Sequence, residues 1–214
     1  MTMLNTPMFF AAMPRTFRQD AGAETRSQDR QARSRKAQGI RCEPPRQSRA
    51  SAKFLADHNP PPSYADTAYY GIHTFKFIDR SDKTTLVPLA LSFHRTEKKS
   101  LSDAELKSMP ADFLEQALVS RTAQGGARWD MLLTIGDAGD PEDDPTILWP
   151  TNRKELKAGT LTIWSAMAQA GAECEKINYD PLVMGDGIAA TNDPVLLFRS
   201  PAYAWSFAKR LGGL

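Results

Sequence analysis

The stretch from Tyr69 to Ile78 is aromatic-rich and partly alternates apolar with polar positions, with His73, Phe75 and Phe77 on one side and Thr74 and Lys76 on the other, a pattern of period two that predicts a strand. Asp79–Lys83 is a polar turn, and Thr84–Val87 begins the returning strand. Trp129–Ile135 and Gly159–Trp164 read as two more strands, separated by an acidic, proline-containing loop with Asp137, Asp140, Glu142, Asp143 and Asp144. Helical signals lie between and after these strands. Ser102 followed by Glu105 predicts a capping box. Pro110 is expected to open a second helix whose stripe is Phe113, Leu114, Ala117 and Leu118. Ser200 and Pro201 are expected to be the N-cap and first residue of a final helix. Pro60, Pro61 and Pro62 make a stiff extended turn before the first strand.

The pattern fails upstream. Met1–Phe17 is apolar and methionine-rich, and Pro7 and Pro14 interrupt any long helix. Arg18–Lys53 has Ile40 as its one large aliphatic residue. It cannot bury enough apolar surface to offset the entropy of ordering, so it reads as disordered or as a solvated helix. Three segments follow: 1–17, a basic segment 18–53, and a folded domain 54–214. Composition sharpens the division. The formal charge is only +2 over 214 residues, yet residues 15–53 hold eleven Lys or Arg against four Asp or Glu. Such an arm could meet nucleic-acid phosphates, although it lacks interleaved aromatic residues.

Otherwise the composition, 41% hydrophobic and 24% charged, is that of a globular chain. Cys42 and Cys174 form no CxxC pair, and no apolar run reaches the length of a membrane span. The apolar start has no basic lead or cleavage pattern, so the default compartment is the cytoplasm, with the periplasm an alternative if a longer precursor exists.

Candidate chemistry concentrates at the C-terminal end, from Asp193 to Arg210. Tyr203, Phe207 and Arg210 fall at i, i+4 and i+7 of a helix and share one face. By itself that describes an amphipathic helix packed on a sheet. The wider order of motifs adds more. Arg199, Tyr203 and Arg210 have the spacing of the proximal motif of the haem catalases, and the chain resembles that family, in its small catalase-related peroxidase branch. The resemblance continues through Gly159-Thr-Leu-Thr-Ile, Cys174-Glu-Lys-Ile-Asn-Tyr-Asp-Pro, Gly187-Ile188, Leu148-Trp149-Pro150, Tyr70-Gly-Ile-His73 and Asn5-Thr-Pro-Met-Phe-Phe10.

The resemblance implies an α+β fold: the second half of an antiparallel β-barrel, flanking helices and a C-terminal ligand helix. It implies haem b as cofactor, with Tyr203 as the iron ligand through its phenolate. Arg199 would stabilise that phenolate, itself held by a hydrogen-bonded chain to His73 and Asp193. Arg210 would pair with a propionate, Phe10 would lie against the haem face, and Asn5 would orient hydrogen peroxide. Disproportionation of hydrogen peroxide, or its reduction by an organic donor, is the implied reaction, and homo-oligomers are a family habit.

A distal base is missing from the pattern. The histidines are His58, His73 and His94; His73 belongs to the proximal side, and the other two lie in no family motif. The expectation is an N-terminally shortened member with impaired activity, or an inactive remnant. Arg18–Lys53 and the stretch from Pro88 to Glu97 also depart from the family pattern, as out-of-frame translation would make them.

Overall fold

The computed structural model describes residues 3–14, 53–93, 100–168 and 171–212. Apart from Lys53, the segment Arg18–Lys53 lies outside the described residues, as do residues 94–97 of the stretch that departs from the family pattern from Pro88; residues 88–93 of that stretch are part of a strand. Four long strands and one short one form a single antiparallel sheet: β1 (Tyr69–Ile78), β2 (Thr84–Phe93), β3 (Ala127–Thr134), β4 (Glu155–Ile163) and β5 (Ile188–Ala190). Their spatial order is β4-β3-β2-β1-β5. Helices α1 (Asp103–Ser108) and α2 (Phe113–Ala123) connect β2 to β3, and α3 (Pro194–Leu211) ends the chain. The result is α+β, with a sheet that does not close.

Register explains why one face is apolar. Phe75 lies opposite Val87, Leu91 opposite Met131, Trp129 opposite Leu161, and Phe77 opposite Ile188. Directly opposed residues share a face, so these pairs line one side across all five strands. Trp129 anchors that side. It is 4% exposed, packs with Ala65 and Ala127, and donates its indole N–H to the Thr67 carbonyl at 3.0 Å. Ordering this indole removes a large apolar area while leaving no buried donor unpaired.

Strand β2 continues through Pro88, whose missing N–H should interrupt a ladder. The interruption is absorbed by an irregularity in β1 between Gly71 and Thr74, and Thr74 stands opposite Pro88. The hairpin joining β1 and β2 is held by the Asp79 carboxylate, which accepts from the Ser81 and Lys83 amides at 2.8 and 3.1 Å. Asp82 takes the left-handed backbone at φ 60°, a conformation that aspartate tolerates.

Two helix starts differ from expectation. Helix α2 begins at Phe113, not Pro110; the Pro110 carbonyl instead accepts from the Phe113 amide, forming a turn ahead of the helix. Helix α3 begins seven residues before Pro201, with Asp193 as N-cap and Pro194 at the first position. Both Asp-Pro and Ser-Pro are start signals, and the first prevails because the Asp193 carboxylate satisfies two amides, Val195 and Leu196, at 2.8 and 3.2 Å. Ser200 then lies inside the helix, and its hydroxyl donates to Asp180. Pro201 is accommodated in the helix interior.

Candidate functional site

The site grows from the junction of β1 and α3. His73 sits in the buried stretch of β1, 2% exposed, and Asp193 at the start of α3 is 1% exposed. His73 Nδ1 lies 2.6 Å from Asp193 Oδ2. Asp193 Oδ1 caps the helix, so the two carboxylate oxygens serve different elements: one fixes the imidazole, the other fixes the helix. Thr191 adds a second stitch, donating its hydroxyl to the Thr74 carbonyl at 3.1 Å. Helix α3 is thereby held at a set position against β1.

Its next two turns carry Arg199 and Tyr203 at i and i+4. The Tyr203 hydroxyl oxygen accepts from Arg199 Nη2 at 2.6 Å and from Nε at 3.2 Å, while the guanidinium lies 5.0 Å from the ring centroid. Two N–H donors on one phenol oxygen stabilise negative charge placed there. His73 and Arg199 line a common cavity of about 430 Å³, whose other walls include Phe75, Phe77, Met184 and Ile188. Among the described residues, His73 Nε2 is the one buried side-chain nitrogen or oxygen without a hydrogen-bond partner. The chain Asp193–His73–Arg199–Tyr203 thus has its two end links formed and no hydrogen bond at its centre.

The segment from Asn178 to Gly185 forms one wall of the cavity, and Asp180 holds it. Asp180 Oδ1 accepts from the Leu182 amide at 2.8 Å, and Oδ2 accepts from the Ser200 hydroxyl at 2.5 Å. Sequence reasoning passed over Asp180, Ser200 and Thr191 as site-building residues. The one available signal was the Asp-Pro pair at 180–181, a turn former.

Arg210 is exposed, and its guanidinium donates to the Ile177 and Glu175 carbonyls at 3.2 and 3.4 Å and to Ser206 at 3.1 Å. It ties the end of α3 to the segment before the cavity wall. Asn5 and Phe10 lie elsewhere. Leu4 exchanges two backbone hydrogen bonds with Tyr70, which places Asn5 in a separate cavity of about 170 Å³ together with His58. Phe10 packs beside Phe9, with ring centroids 4.4 Å apart, and lines neither cavity. His58 Nδ1 is turned to the Phe54 carbonyl at 2.7 Å. His94 is outside the described residues.

Comparison with known proteins identifies the family of the chain. Residues 1–213 match the family model described as Catalase. The chain is 48% identical to a catalase-related peroxidase of Synechococcus elongatus over 219 residues, covering 100% of this chain and 63% of the relative. It is 31% identical to a catalase-related peroxidase of Mycolicibacterium paratuberculosis, covering 71% of this chain and 48% of that one. Among solved structures, a fungal catalase superposes with a TM-score of 0.80 at 18% identity, covering 99% of this chain and 45% of its own. Catalase A from Saccharomyces cerevisiae gives 0.79 at 17% identity, with 98% and 46% covered. The chain therefore spans less than two thirds of the length of these proteins. With a family model matched from the first residue almost to the last, and a backbone that superposes on solved catalases, the chain belongs to the catalase family.

Proposed function

We propose that this chain is the proximal half of a haem-dependent enzyme acting on hydrogen peroxide, with Tyr203 as the iron ligand. The observation that carries the reading is the pair of hydrogen bonds from Arg199 to the Tyr203 oxygen at 2.6 and 3.2 Å. The residues present fit a ferric haem on this side. The donor is a phenol oxygen with a cation fixed beside it; that cation, and not Tyr203 itself, lines the largely apolar cavity of about 430 Å³. When bound, the haem would supply the redox chemistry of peroxide disproportionation or of peroxide reduction by an organic donor.

The chain's own residues act by holding and polarising. Arg199 keeps the Tyr203 oxygen electron-rich and fixes its direction through the shared fork. The Asp193–His73 pair fixes the floor beneath Arg199, and a rotation of that guanidinium toward His73 Nε2 would complete the second link of the chain. Arg210 is the candidate for a propionate; it would exchange or share its present carbonyl acceptors for a carboxylate.

A second reading, of a chain that binds haem without turning peroxide over, is favoured by the position of Asn5. Peroxide activation needs a base and an orienting amide on the face opposite the ligand. Asn5 lines a different cavity from Arg199, in company with His58.

Titration of the purified chain with hemin tests the proposal, with Tyr203→Phe in parallel. The expected result is a one-to-one complex with the charge-transfer bands of tyrosinate-ligated ferric haem, lost in the variant. A spectrum indifferent to Tyr203 would overturn it. Peroxide turnover of the loaded chain then separates the two readings.

A further inference from the structure

Helix α3 has a weak point between the two residues of the site. Arg199 precedes Pro201 and Tyr203 follows it, so both hydrogen bonds from the guanidinium to the phenol oxygen span the proline. Pro201 has no N–H for the Leu197 carbonyl one turn earlier, and its ring crowds that carbonyl. Helices kink at such positions. A change of direction there would move Tyr203 relative to Arg199, since the turn before the proline is fixed to β1 through Asp193 and His73.

The side chain beside the proline is tied to another part of the chain. A serine inside a helix ordinarily returns its hydroxyl to a carbonyl one turn back. Ser200 instead donates to Asp180 Oδ2 at 2.5 Å. Asp180 is itself fixed. Its Oδ1 accepts from the Leu182 amide at 2.8 Å, its carbonyl accepts from the Val183 amide at 3.3 Å, and Pro181 restricts the backbone between them.

The same stretch of chain meets α3 again beyond the proline. There Arg210 donates to the Glu175 and Ile177 carbonyls at 3.4 and 3.2 Å. Residues 175–185 are therefore joined to the helix before and after Pro201, as a splint spans a break. Asp180 also lines the cavity that Arg199 lines, but each of its oxygens already accepts a hydrogen bond. Its carboxylate is committed to the turn and to Ser200.

We propose that Asp180 is a positioning residue: through the Ser200 hydroxyl it splints α3 at Pro201 and so keeps Arg199 within reach of the Tyr203 oxygen. Its consequence for iron rests on Tyr203 being the ligand. The splint itself does not, and its first test uses the haem-free chain.

The Arg199 Nε–H donates to the phenol oxygen, so its exchange with water, followed by NMR, reports the contact directly. Ser200→Ala cuts the tether while raising helix propensity, and should speed that exchange more than ~10-fold. Asp180→Ala should do the same, and the two together no more than either alone. Ser200→Thr keeps a hydroxyl and should stay near the parent. Pro201→Ala restores the missing N–H, so adding it to Ser200→Ala should bring exchange back to within about 3-fold of the parent. Loaded with hemin, Ser200→Ala should show displaced charge-transfer bands that return when Pro201→Ala is added.

Unchanged exchange in Ser200→Ala overturns the proposal. So does fast exchange that Pro201→Ala leaves uncorrected, because a general loss of packing would behave that way. Faster exchange with unmoved bands overturns the positioning role at the iron. A hemin spectrum indifferent to Tyr203, with the exchange pattern as expected, overturns the ligand reading and upholds the splint. If Asp180→Ala loses its circular dichroism, the Ser200 and Pro201 variants decide by themselves.

Discussion

His73 Nδ1 and Asp193 Oδ2 stand 2.6 Å apart with both side chains almost wholly buried, joining β1 to the first turn of α3 across 120 residues of sequence. The same carboxylate caps the helix through its other oxygen. Asp193→Ala therefore removes a cap and orphans a buried imidazole in one step. The expected loss is about 2–4 kcal/mol of unfolding free energy, from roughly 1 for the cap and 1–3 for the unsatisfied donor. Asp193→Asn keeps an oxygen for the cap and an amide for the imidazole, and should lose less than half as much. Urea unfolding of the three proteins measures this; equal midpoints for the alanine variant and the parent would refute the joint role.

Helix α3 supplies a second contrast at adjacent positions. Leu196 is fully buried at 0% exposure, whereas its neighbour Leu197 is 44% exposed. Leu196→Ala should destabilise by about 2–5 kcal/mol, the range for a buried leucine that leaves a cavity. Leu197→Ala should change stability by less than ~1 kcal/mol, since little apolar surface is uncovered. If the two variants unfold alike, α3 does not pack as described.

What the sequence made legible were features whose physics is local. Phe75 and Phe77 alternate with Lys76, and the strand they predict is β1. Ser102 and Glu105 form the expected reciprocal cap, at 3.3 Å from amide to hydroxyl and 2.8 Å from amide to carboxylate. Arg199 and Tyr203 meet because i and i+4 are neighbours on any α-helix. Features set by distant chain were not legible. The three-residue strand β5 is too short for a periodic signal, and it exists because β1 offers it an edge. Helix α3 starts at Pro194, because Asp193 is positioned by His73 as well as by its own helix. The separation of Asn5 from Arg199 depends on Leu4 pairing with Tyr70, a contact no local pattern encodes.

The loop between β3 and β4 gives a prediction in pH. Asp140 accepts from Arg153 Nε and Nη2, both at 2.7 Å, and also from the Asp137 amide at 2.7 Å. The Arg153 hydrogen bonds, opposed by burial and aided by the Asp137 amide and the charge of Arg153, hold the Asp140 carboxyl below its ordinary value of 3.8. A carboxyl lowered on folding contributes stability that is fully present above the unfolded-state value. That contribution is lost as pH falls through the lower, folded-state value. Asp140→Asn should accordingly be less stable than the parent at neutral pH, and the gap should close below pH 3.8. Thermal unfolding from pH 7 to pH 2 tests the sign; a gap that widens toward low pH would contradict the assignment.

Gly136 follows β3, where its amide donates to the Leu86 carbonyl at 2.9 Å, and the Trp149 ring lies against it. A methyl group at this position would come within 2.6 and 2.8 Å of the Trp149 ring carbons Cη2 and Cζ3, and within 3.0 Å of Leu86 Cβ. The indole cannot simply swing away, because its N–H is committed to the Pro141 carbonyl at 2.9 Å. Gly136→Ala should therefore destabilise by about 1–3 kcal/mol through overpacking. The clashing carbons belong to the outer ring of the indole, which phenylalanine lacks. In Trp149→Phe the two closest clashes are removed and only the 3.0 Å approach to Leu86 Cβ remains, so the double variant should be more stable than the sum of the single losses implies. A double-mutant cycle in urea isolates this coupling, expected at roughly 1 kcal/mol or more in the relieving direction. Additive losses would mean that Leu86 or the backbone, and not Trp149, excludes a side chain at position 136.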